Sequence, residues 1–484
     1  MKWWLVFSCL LFFRCIGYGG ETISLEQYLD LVRTHHPLIS AENLSPEIEA
    51  ERQSGFMADE DWVLGGRASL LHSKPIVTSS FSPTTLDLVG LSASLSRSFW
   101  STGGRFGIEW STDFTDQTLP DLSFPGSESG GISAGTPRLY EHALSLSYTQ
   151  PLWRNYGGDL SRLDYDLAAH TISISELEAI ENQEQFLLEI ALNFVDWVLL
   201  EEQKKITEQR LQLAREQLEL TTEKRRANLV DQVDVLRSED AVRAARQNAV
   251  LLDSRARARK AELALLAQAD SIRQLQPAYD LYRPADIPGF DEARAVLEEN
   301  SRLLNTLQAR REQLERLDRS YDEWEKPNLD LNIGLAIKGG DDAFGNSLEL
   351  TKPDFSLSLL LRQPLGAKAA RSGGIQTELE IRQNRLRYQQ VRLDLESSLD
   401  ALLIQLADLE EIMRLNREEI ESAREKAAEE LKLYEQGRGE LTFVIQARDN
   451  EQNARLLYAE NAANYHRLYH QYLALTDLFL ENNR

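Results

Sequence analysis

The sequence of 484 residues predicts an internally duplicated α+β protein in which very long helices alternate with antiparallel β-strands. Three observations predict this class. A helix–turn–helix pattern occurs twice at a constant offset of 209 residues, two blocks of residues alternate with the period of a strand, and the helical segments contain almost no glycine or proline. Helices of this length exceed what a globular core needs, so we expect them to pack side by side.

The chain begins with a predicted secretory signal peptide, residues 1–20. A charged start is followed by an apolar run from Trp3 to Phe13 and by small residues suited to cleavage. Cys9 and Cys15 are the two cysteines of the sequence, and both lie in this segment. The exported chain is therefore predicted to have neither a disulfide nor a cysteine metal site, as expected for an envelope protein of a double-membraned bacterium.

Charge and hydropathy restrict the possible functions. The formal net charge of −24 argues against a nucleic-acid partner, because phosphates require cations to neutralise them. After the signal peptide no run of about 18 apolar residues occurs. A chain of this kind that crosses a membrane would have to do so as a closed β-barrel.

The sequence contains no recognisable catalytic constellation. A GxxxxGK phosphate loop and a GxSxG elbow are both missing, so we predict a protein that is not an enzyme and has no cofactor. His466 and His470 have a spacing that could bind a metal, but no HExxH pattern accompanies them. We therefore predict solvated histidines and no metal site.

One order of elements is predicted twice. After the signal peptide we expect a first repeat, residues 21–276, with an opening helix, β-strands in 62–150 and a long helical hairpin over 161–276. A linker follows, residues 277–288. The second repeat, residues 289–484, is expected to have a helix, β-strands in 329–362 and a helical hairpin over 375–482.

The strands are predicted from alternating side chains. Leu91, Ala93 and Leu95 alternate with serines, and apolar residues recur at every second position from Leu329 to Ile337. Alternation suits a soluble sandwich as well as a membrane barrel. Aromatic residues near the strand ends favour the barrel, because aromatic girdles mark both membrane interfaces: Trp62, Trp100, Tyr148 and Trp153.

The turns of the two helical hairpins are also predictable. Gly437 and Gly439 are the two glycines between residue 375 and the end of the chain, where no proline occurs, so the helix should end there. At the offset of 209, Gly437 corresponds to Asn228. Asn and Gly are the residues that most readily adopt the left-handed conformation that ends a helix.

The order of these elements resembles a known family. Residues 149–158 (TQPLWRNYGG) and 362–374 (RQPLGAKAARSGG) are similar to the strand-to-helix signature of the TolC-like outer-membrane efflux proteins. The resemblance implies a homotrimer with one common transmembrane β-barrel, which contacts outer-membrane lipid and is continuous with a long α-helical coiled-coil tunnel in the periplasm. It implies the exit duct of a tripartite efflux pump or a type I secretion system, with a periplasmic adaptor protein and an inner-membrane RND, ABC or similar transporter as partners.

The same resemblance implies that the two helical turns form a periplasmic tip, which gates the tunnel and docks onto the adaptor. Many members carry an inner ring of aspartates where this sequence has Phe443 and Gln446. Asp231 and Asp234 are the remaining acidic candidates, although Asp231 could instead cap a helix. The residues implied at the tip are Asn228, Leu229, Val230, Asp231, Asp234, Gly437, Arg438, Gly439, Phe443 and Gln446.

Two alternatives stay open at this point. Each strand block is entered and left through helices on one side, so each repeat needs an even number of strands. The second repeat supplies two and the first supplies two or four, which gives twelve or eighteen strands per trimer. The alternative function is that of a soluble periplasmic or secreted coiled-coil scaffold.

Overall fold

The computed structural model describes residues 22–76, 82–119 and 138–482. The predicted signal peptide lies outside the described residues. Within them the chain forms two compact units, which are described separately. The strand unit comprises Ser45–Glu176 and Thr306–Gln389, whereas the helical unit comprises the described parts of Met1–Leu44, Leu177–Asn305 and Gln390–Arg484. Both predicted repeats contribute residues to both units.

The helices in the described residues are α1 (Leu25–His35), α2 (Pro37–Phe56), α3 (Leu163–Arg226), α4 (Gln232–Leu266), α5 (Phe290–Asn300), α6 (Arg302–Glu325), α7 (Phe344–Ser347), α8 (Lys368–Glu435), α9 (Leu441–Leu475) and α10 (Phe479–Asn482). The strands are β1 (Thr22–Ile23), β2 (Val63–Ser73), β3 (Thr85–Phe99), β4 (Gly104–Thr118), β5 (Arg138–Pro151), β6 (Gln276–Pro277), β7 (Asn328–Asp341) and β8 (Lys352–Arg362). Among these described helices, none combines the length and the apolar character that a membrane span requires.

The strand unit contains a six-stranded antiparallel sheet in the order β2-β3-β4-β5-β7-β8. The predicted first repeat therefore supplies four strands to this sheet and the predicted second repeat supplies two. Directly opposed residues share one face of a sheet. One apolar line of such residues crosses all six strands: Leu64, Leu95, Ile108, Leu146, Leu335 and Phe355. The adjacent line on the opposite face consists mainly of glycine and serine: Val63, Ser96, Gly107, Ser147, Gly334 and Ser356.

The glycine pair that follows the QPL sequence allows a close backbone contact. Gly157 and Gly158 both have φ near +77°. A Cβ atom on Gly158 would lie 1.5 Å from the carbonyl oxygen of Trp100, whereas a Cβ on Gly157 would meet nothing within 4 Å. Asn155 supports the same turn, since its Oδ1 accepts hydrogen bonds from the backbone N–H groups of Leu160 (2.9 Å) and Ser161 (3.1 Å). The glycines of this motif are thus explained by the path of the backbone from strand to helix.

The opening helix of each predicted repeat is broken at the same place. The break falls between His35 and Pro37 in the first repeat and between Asn300 and Arg302 in the second, at one offset of 265 residues. Proline disfavours a helical conformation in the residue before it. In the second repeat Ser301 serves the same purpose, because its Oγ accepts a hydrogen bond from the Leu304 N–H at 3.3 Å.

The core of the helical unit is aromatic. Its largest fully buried side chains include Tyr28, Phe194, Trp197, Tyr465 and Tyr472. The predicted linker contributes to this core, since Leu281 is buried in it and Tyr279 and Tyr282 pack against it. The linker is therefore a packed segment.

The two helical hairpins have matching boundaries. The first hairpin consists of α3 and α4, and the second of α8 and α9. The last residues of α3 and α8 are 209 positions apart, and so are the first residues and the last residues of α4 and α9. Both return helices contain 35 residues. Along α9, residues at alternating intervals of four and three are largely buried, among them Tyr458, Tyr465 and Tyr472. Asn461 belongs to the same series and donates a hydrogen bond from Nδ2 to Oδ1 of Asn416 on α8, at 2.8 Å.

Candidate functional site at the helical turns

Both hairpins turn by the same backbone geometry. Asn228 and Gly437 have left-handed φ angles of 57° and 72°. The N–H of Leu229 donates to the carbonyl of Lys224 at 2.9 Å, and the N–H of Arg438 donates to the carbonyl of Leu433 at 2.9 Å. These bonds, which span five residues, satisfy carbonyl groups left free at a helix end. One turn geometry is thus built from asparagine in the first hairpin and glycine in the second.

The residues expected at the tip differ in exposure. Most are exposed to solvent: Asn228, Leu229, Asp231, Gly437, Arg438, Phe443 and Gln446. The other three are half-buried: Val230, Asp234 and Gly439. Among these residues Leu229 and Phe443 have large apolar side chains, which are 70% and 50% exposed.

The two acidic candidates have different contacts. Asp231 stands at the N-cap position of α4, but its side chain makes no capping hydrogen bond. Asp234 pairs with Arg237 in its own helix, at 3.2 Å between Nη1 and Oδ1. Asp231 thus occupies the expected capping position without capping, and its carboxylate is exposed to solvent.

A small apolar cluster packs the two hairpins together beside the turns. Tyr434, Leu441 and Val444 of the second hairpin form its buried part. Val230 and Leu220 of the first hairpin pack against them. The first turn is therefore held against the second hairpin through Val230.

Polar contacts join the hairpins at the same level. The Nζ atom of Lys224 donates a hydrogen bond to the backbone carbonyl of Tyr434 at 2.6 Å and lies 3.9 Å from the centre of its ring. Thr221 Oγ1 lies 3.5 Å from the Tyr434 hydroxyl and accepts a hydrogen bond from Ser238 at 3.2 Å. Desolvation lowers the pKa of Lys224, which the nearby Glu435 opposes, and burial raises the pKa of Tyr434. Sequence patterns did not identify these residues, because the partners are about 210 positions apart.

A second polar contact lies further from the turns. Arg210, whose side chain is 7% exposed, donates two hydrogen bonds to Oδ1 of Asp449, from Nε at 2.9 Å and from Nη2 at 2.6 Å. Both residues border a cavity of about 790 Å³ between α4 and α9, and Gln446 of the expected tip also lines it. The cavity has mostly polar and small side chains on its walls.

The prediction that His466 and His470 are solvated is wrong. Only 5% and 4% of their surfaces are exposed, and their ring nitrogens Nδ1 and Nε2 lie 2.9 and 3.2 Å from the hydroxyl of Tyr279. Burial lowers the pKa of both histidines, and for His470 the neighbouring His466 adds to this effect and the pKa falls to about 3. The burial of the two histidines could not be predicted from the sequence, because Tyr279, which covers them, comes from the distant linker.

One group of carboxylates in the described residues has metal-like spacing: Glu181, Glu184 and Asp477. Arg302 contacts all three, with its Nη2 2.6 Å from Asp477 Oδ1 and its Nε 3.2 Å from Glu181 Oε2. Desolvation raises the pKa of Glu181 and of Asp477, while Arg302 acts in the opposite direction. The group is thus organised around a guanidinium, which joins the start of α6 to the side of α3 and to the segment that follows α9.

No protein-family model and no curated protein matches the sequence. Solved structures do match it. The outer membrane protein VceC of Vibrio cholerae is 12% identical, with 94% of this chain and 96% of that chain covered and a TM-score of 0.66. The CmeC outer membrane channel of Campylobacter jejuni is 11% identical (94% and 86% covered, TM-score 0.64), and the open state of the MtrE outer membrane channel of Neisseria gonorrhoeae is 13% identical (94% and 89% covered, TM-score 0.57).

The described residues therefore have a helix-rich α+β fold of the outer-membrane channel class. Within that class the fold is the one shared by the TolC-like outer-membrane efflux proteins, so the resemblance inferred from the sequence is confirmed at the level of the fold. The alternative of a soluble coiled-coil scaffold finds no support among these structures.

Proposed function

We propose that the protein is an outer-membrane channel, the exit duct of a tripartite efflux pump or a type I secretion system, and that it works by passive transport without catalysis. The observation that carries the proposal is the agreement of fold with outer-membrane channels over 94% of the chain. The sheet supports the same function, since it offers one apolar face to lipid and one face of small and polar residues to a water-filled lumen.

The proposed working form is a homotrimer located in the outer membrane and extending into the periplasm. Its strands close one common barrel against outer-membrane lipid, and its helices form the periplasmic tunnel. The two repeats, residues 21–276 and 289–484, each contribute one helical hairpin to this tunnel. The matching boundaries of the two hairpins support this duplicated arrangement.

We infer that the helical turns form the periplasmic tip. The exposed apolar side chains of Leu229 and Phe443 offer contacts to a periplasmic adaptor protein, which links the channel to an inner-membrane RND, ABC or similar transporter. The acidic groups at the entrance are Asp231 and Asp234. Phe443 and Gln446 provide no carboxylate, so an acidic ring at the second turn is not part of this proposal.

Gating is proposed as a two-state movement of one hairpin relative to the other. The contacts of Lys224 and Thr221 with Tyr434 join the hairpins in this conformation, so they stabilise it over one in which the hairpins separate. Adaptor binding would open the tip by favouring the separated arrangement.

The test is single-channel conductance of the detergent-extracted protein in a planar bilayer, measured together with its oligomeric mass. We expect a trimer with small, cation-preferring and intermittently opening conductance. A protein that is water-soluble without detergent, is not trimeric and gives no conductance would contradict the proposed function.

A further inference from the structure

Among the described residues, the sheet of the strand unit has two unpaired edges of equal length. β2 and β8 stand at opposite ends of the strand order, and each contains 11 residues. Every residue of β8 and nearly every residue of β2 is exposed, with Leu64 79% and Phe355 70% exposed. Because lipid offers no hydrogen-bonding partner, backbone groups at such edges must be paired inside a membrane.

The apolar face extends across β2 and β3 as well as across the other four strands. Leu70 of β2 opposes Val89 of β3, which opposes Phe114 of β4, which opposes Tyr140 of β5. A hairpin that projected from the barrel into water would have no need for this face. The β2–β3 hairpin is therefore built for the same surroundings as the rest of the sheet.

The register of the sheet specifies how it can close. A line of opposed residues that starts at Val63, the first residue of β2, reaches β8 at Ser356, which lies six residues before the strand ends at Arg362. If β8 pairs along its full length with β2 of a second copy, Ser356 opposes Ser69 of that copy. After crossing one copy, the line therefore meets β2 of the next copy six residues further along that strand, at Ser69 instead of Val63.

Three such steps give a shear of about 18 for a ring of about 18 strands. With strands about 4.8 Å apart and a rise of about 3.3 Å per residue, this shear corresponds to a tilt of roughly 35°. Transmembrane barrels have tilts of about 35–45°. Full pairing of the two free edges therefore produces a barrel of acceptable geometry without any adjustment of the strands.

We propose that β2 and β8 of neighbouring copies pair along their whole length and close an eighteen-stranded barrel, a wider barrel than the twelve-stranded one implied by the family resemblance. This inference rests on the proposed function, because it requires a membrane-embedded trimer. At a tilt of roughly 35°, eighteen strands give a backbone radius of roughly 17 Å, against roughly 11 Å for twelve. The cross-section of the barrel is thereby about doubled, so the helical tip becomes the size-limiting part of the duct.

A twelve-stranded barrel would require a different sheet. β4 would have to separate from β3 and pair with β8 of the neighbour. In the structure β3 and β4 are paired over 15 residues, from the pair Thr85–Thr118 to the pair Phe99–Gly104. The two arrangements therefore place different strands beside β8.

Disulfide trapping distinguishes the two arrangements. The experiment uses a chain whose Cys9 and Cys15 are replaced by alanine. In it Ala68→Cys is combined with Leu357→Cys, because these two residues of neighbouring copies oppose each other on the apolar face in the proposed register. Arg67→Cys with Ser358→Cys tests the other face. Both pairs fall within disulfide range of an antiparallel ladder, and we expect reductant-sensitive covalent trimers on denaturing gels.

Two controls complete the experiment. Ala68→Cys with Ser358→Cys points the two thiols to opposite faces and should give much less covalent trimer. Ile108→Cys, Trp110→Cys and Thr112→Cys, each combined with Leu357→Cys, report on β4 beside β8 and should give none.

Covalent trimers from the β4 pairs, with none from the β2 pairs, would overturn the eighteen-stranded barrel and leave the channel function standing. The eighteen-stranded barrel is likewise overturned if no pair is trapped while trimer mass and conductance are normal. Loss of the trimer and of conductance in the parent protein would instead refute the proposed function itself.

Discussion

Replacing Lys224 by methionine should favour the open tip. Lys224→Met keeps a long side chain on α3 but removes the ammonium group that contacts the carbonyl and the ring of Tyr434. The Tyr434 carbonyl keeps one partner, since it also accepts a hydrogen bond from the N–H of Gly437 at 3.1 Å. The substitution therefore removes a contact between hairpins without leaving a carbonyl unsatisfied.

The size of the effect follows from the two contacts. A hydrogen bond from a charged group contributes about 1.5–3 kcal/mol, and a cation–π contact at a half-exposed site about 0.5–1 kcal/mol. Because Lys224 is only half-buried, the lower ends of both ranges apply, for a total of about 2 kcal/mol. If the contact exists only in the closed state, its loss raises the opening equilibrium roughly 30-fold.

The assay is the open probability of single channels in a planar bilayer. Lys432→Met is the matched control, because Lys432 lies close to the second turn but pairs with Glu429 of its own helix, at 3.3 Å between Nζ and Oε1. We expect the control to behave as the parent protein does. Equal open probabilities for Lys224→Met and Lys432→Met, in channels of normal trimer mass, would refute the gating role of the Tyr434 contact.

Three further predictions concern stability. Burial lowers the pKa of His470 to about 3, so below its usual pKa of about 6.5 the residue takes up a proton when the protein unfolds. The free energy of unfolding should therefore fall by roughly 2 kcal/mol between pH 7 and pH 5. In thermal unfolding His470→Gln should flatten this pH dependence, whereas the control His35→Gln on the surface of α1 should not. Gly437→Val should destabilise the second turn by about 1–2 kcal/mol because of its left-handed φ, whereas Gly437→Asn should be nearly neutral; equal hydrogen-exchange rates at the turn in both variants would contradict this. Gly158→Ala should strongly reduce the yield of trimer because its Cβ would overlap a backbone carbonyl, and Gly157→Ala, with the same φ but open space, should have a much smaller effect.

Local patterns predicted the elements that local forces determine. The left-handed residues Asn228 and Gly437 were recognisable because few residue types adopt that conformation, and both have it. The alternating strands were recognisable because their two faces meet different surroundings. β2 was harder to recognise, since Gly65 and Gly66 interrupt its apolar alternation, and the structure was needed to place it in the sheet.

Contacts between distant segments could not be predicted from one sequence. His466 and His470 were expected on a charged surface, and only the packing of Tyr279 from the linker makes them buried. Lys224 was likewise one cation among many in a charged helix. Its role depends on Tyr434, which another helix brings to it.

The two unpaired edges of the sheet also have a genetic consequence. In the proposed trimer, a subunit whose β8 cannot pair, for example with Leu357→Pro, still presents an intact β2 to its neighbour and can enter a ring that it then fails to close. In a cell that makes intact and damaged subunits in equal amounts, random mixing leaves roughly one trimer in eight free of damaged copies. Such an allele should therefore be dominant over the wild type, unlike a deletion of the same gene.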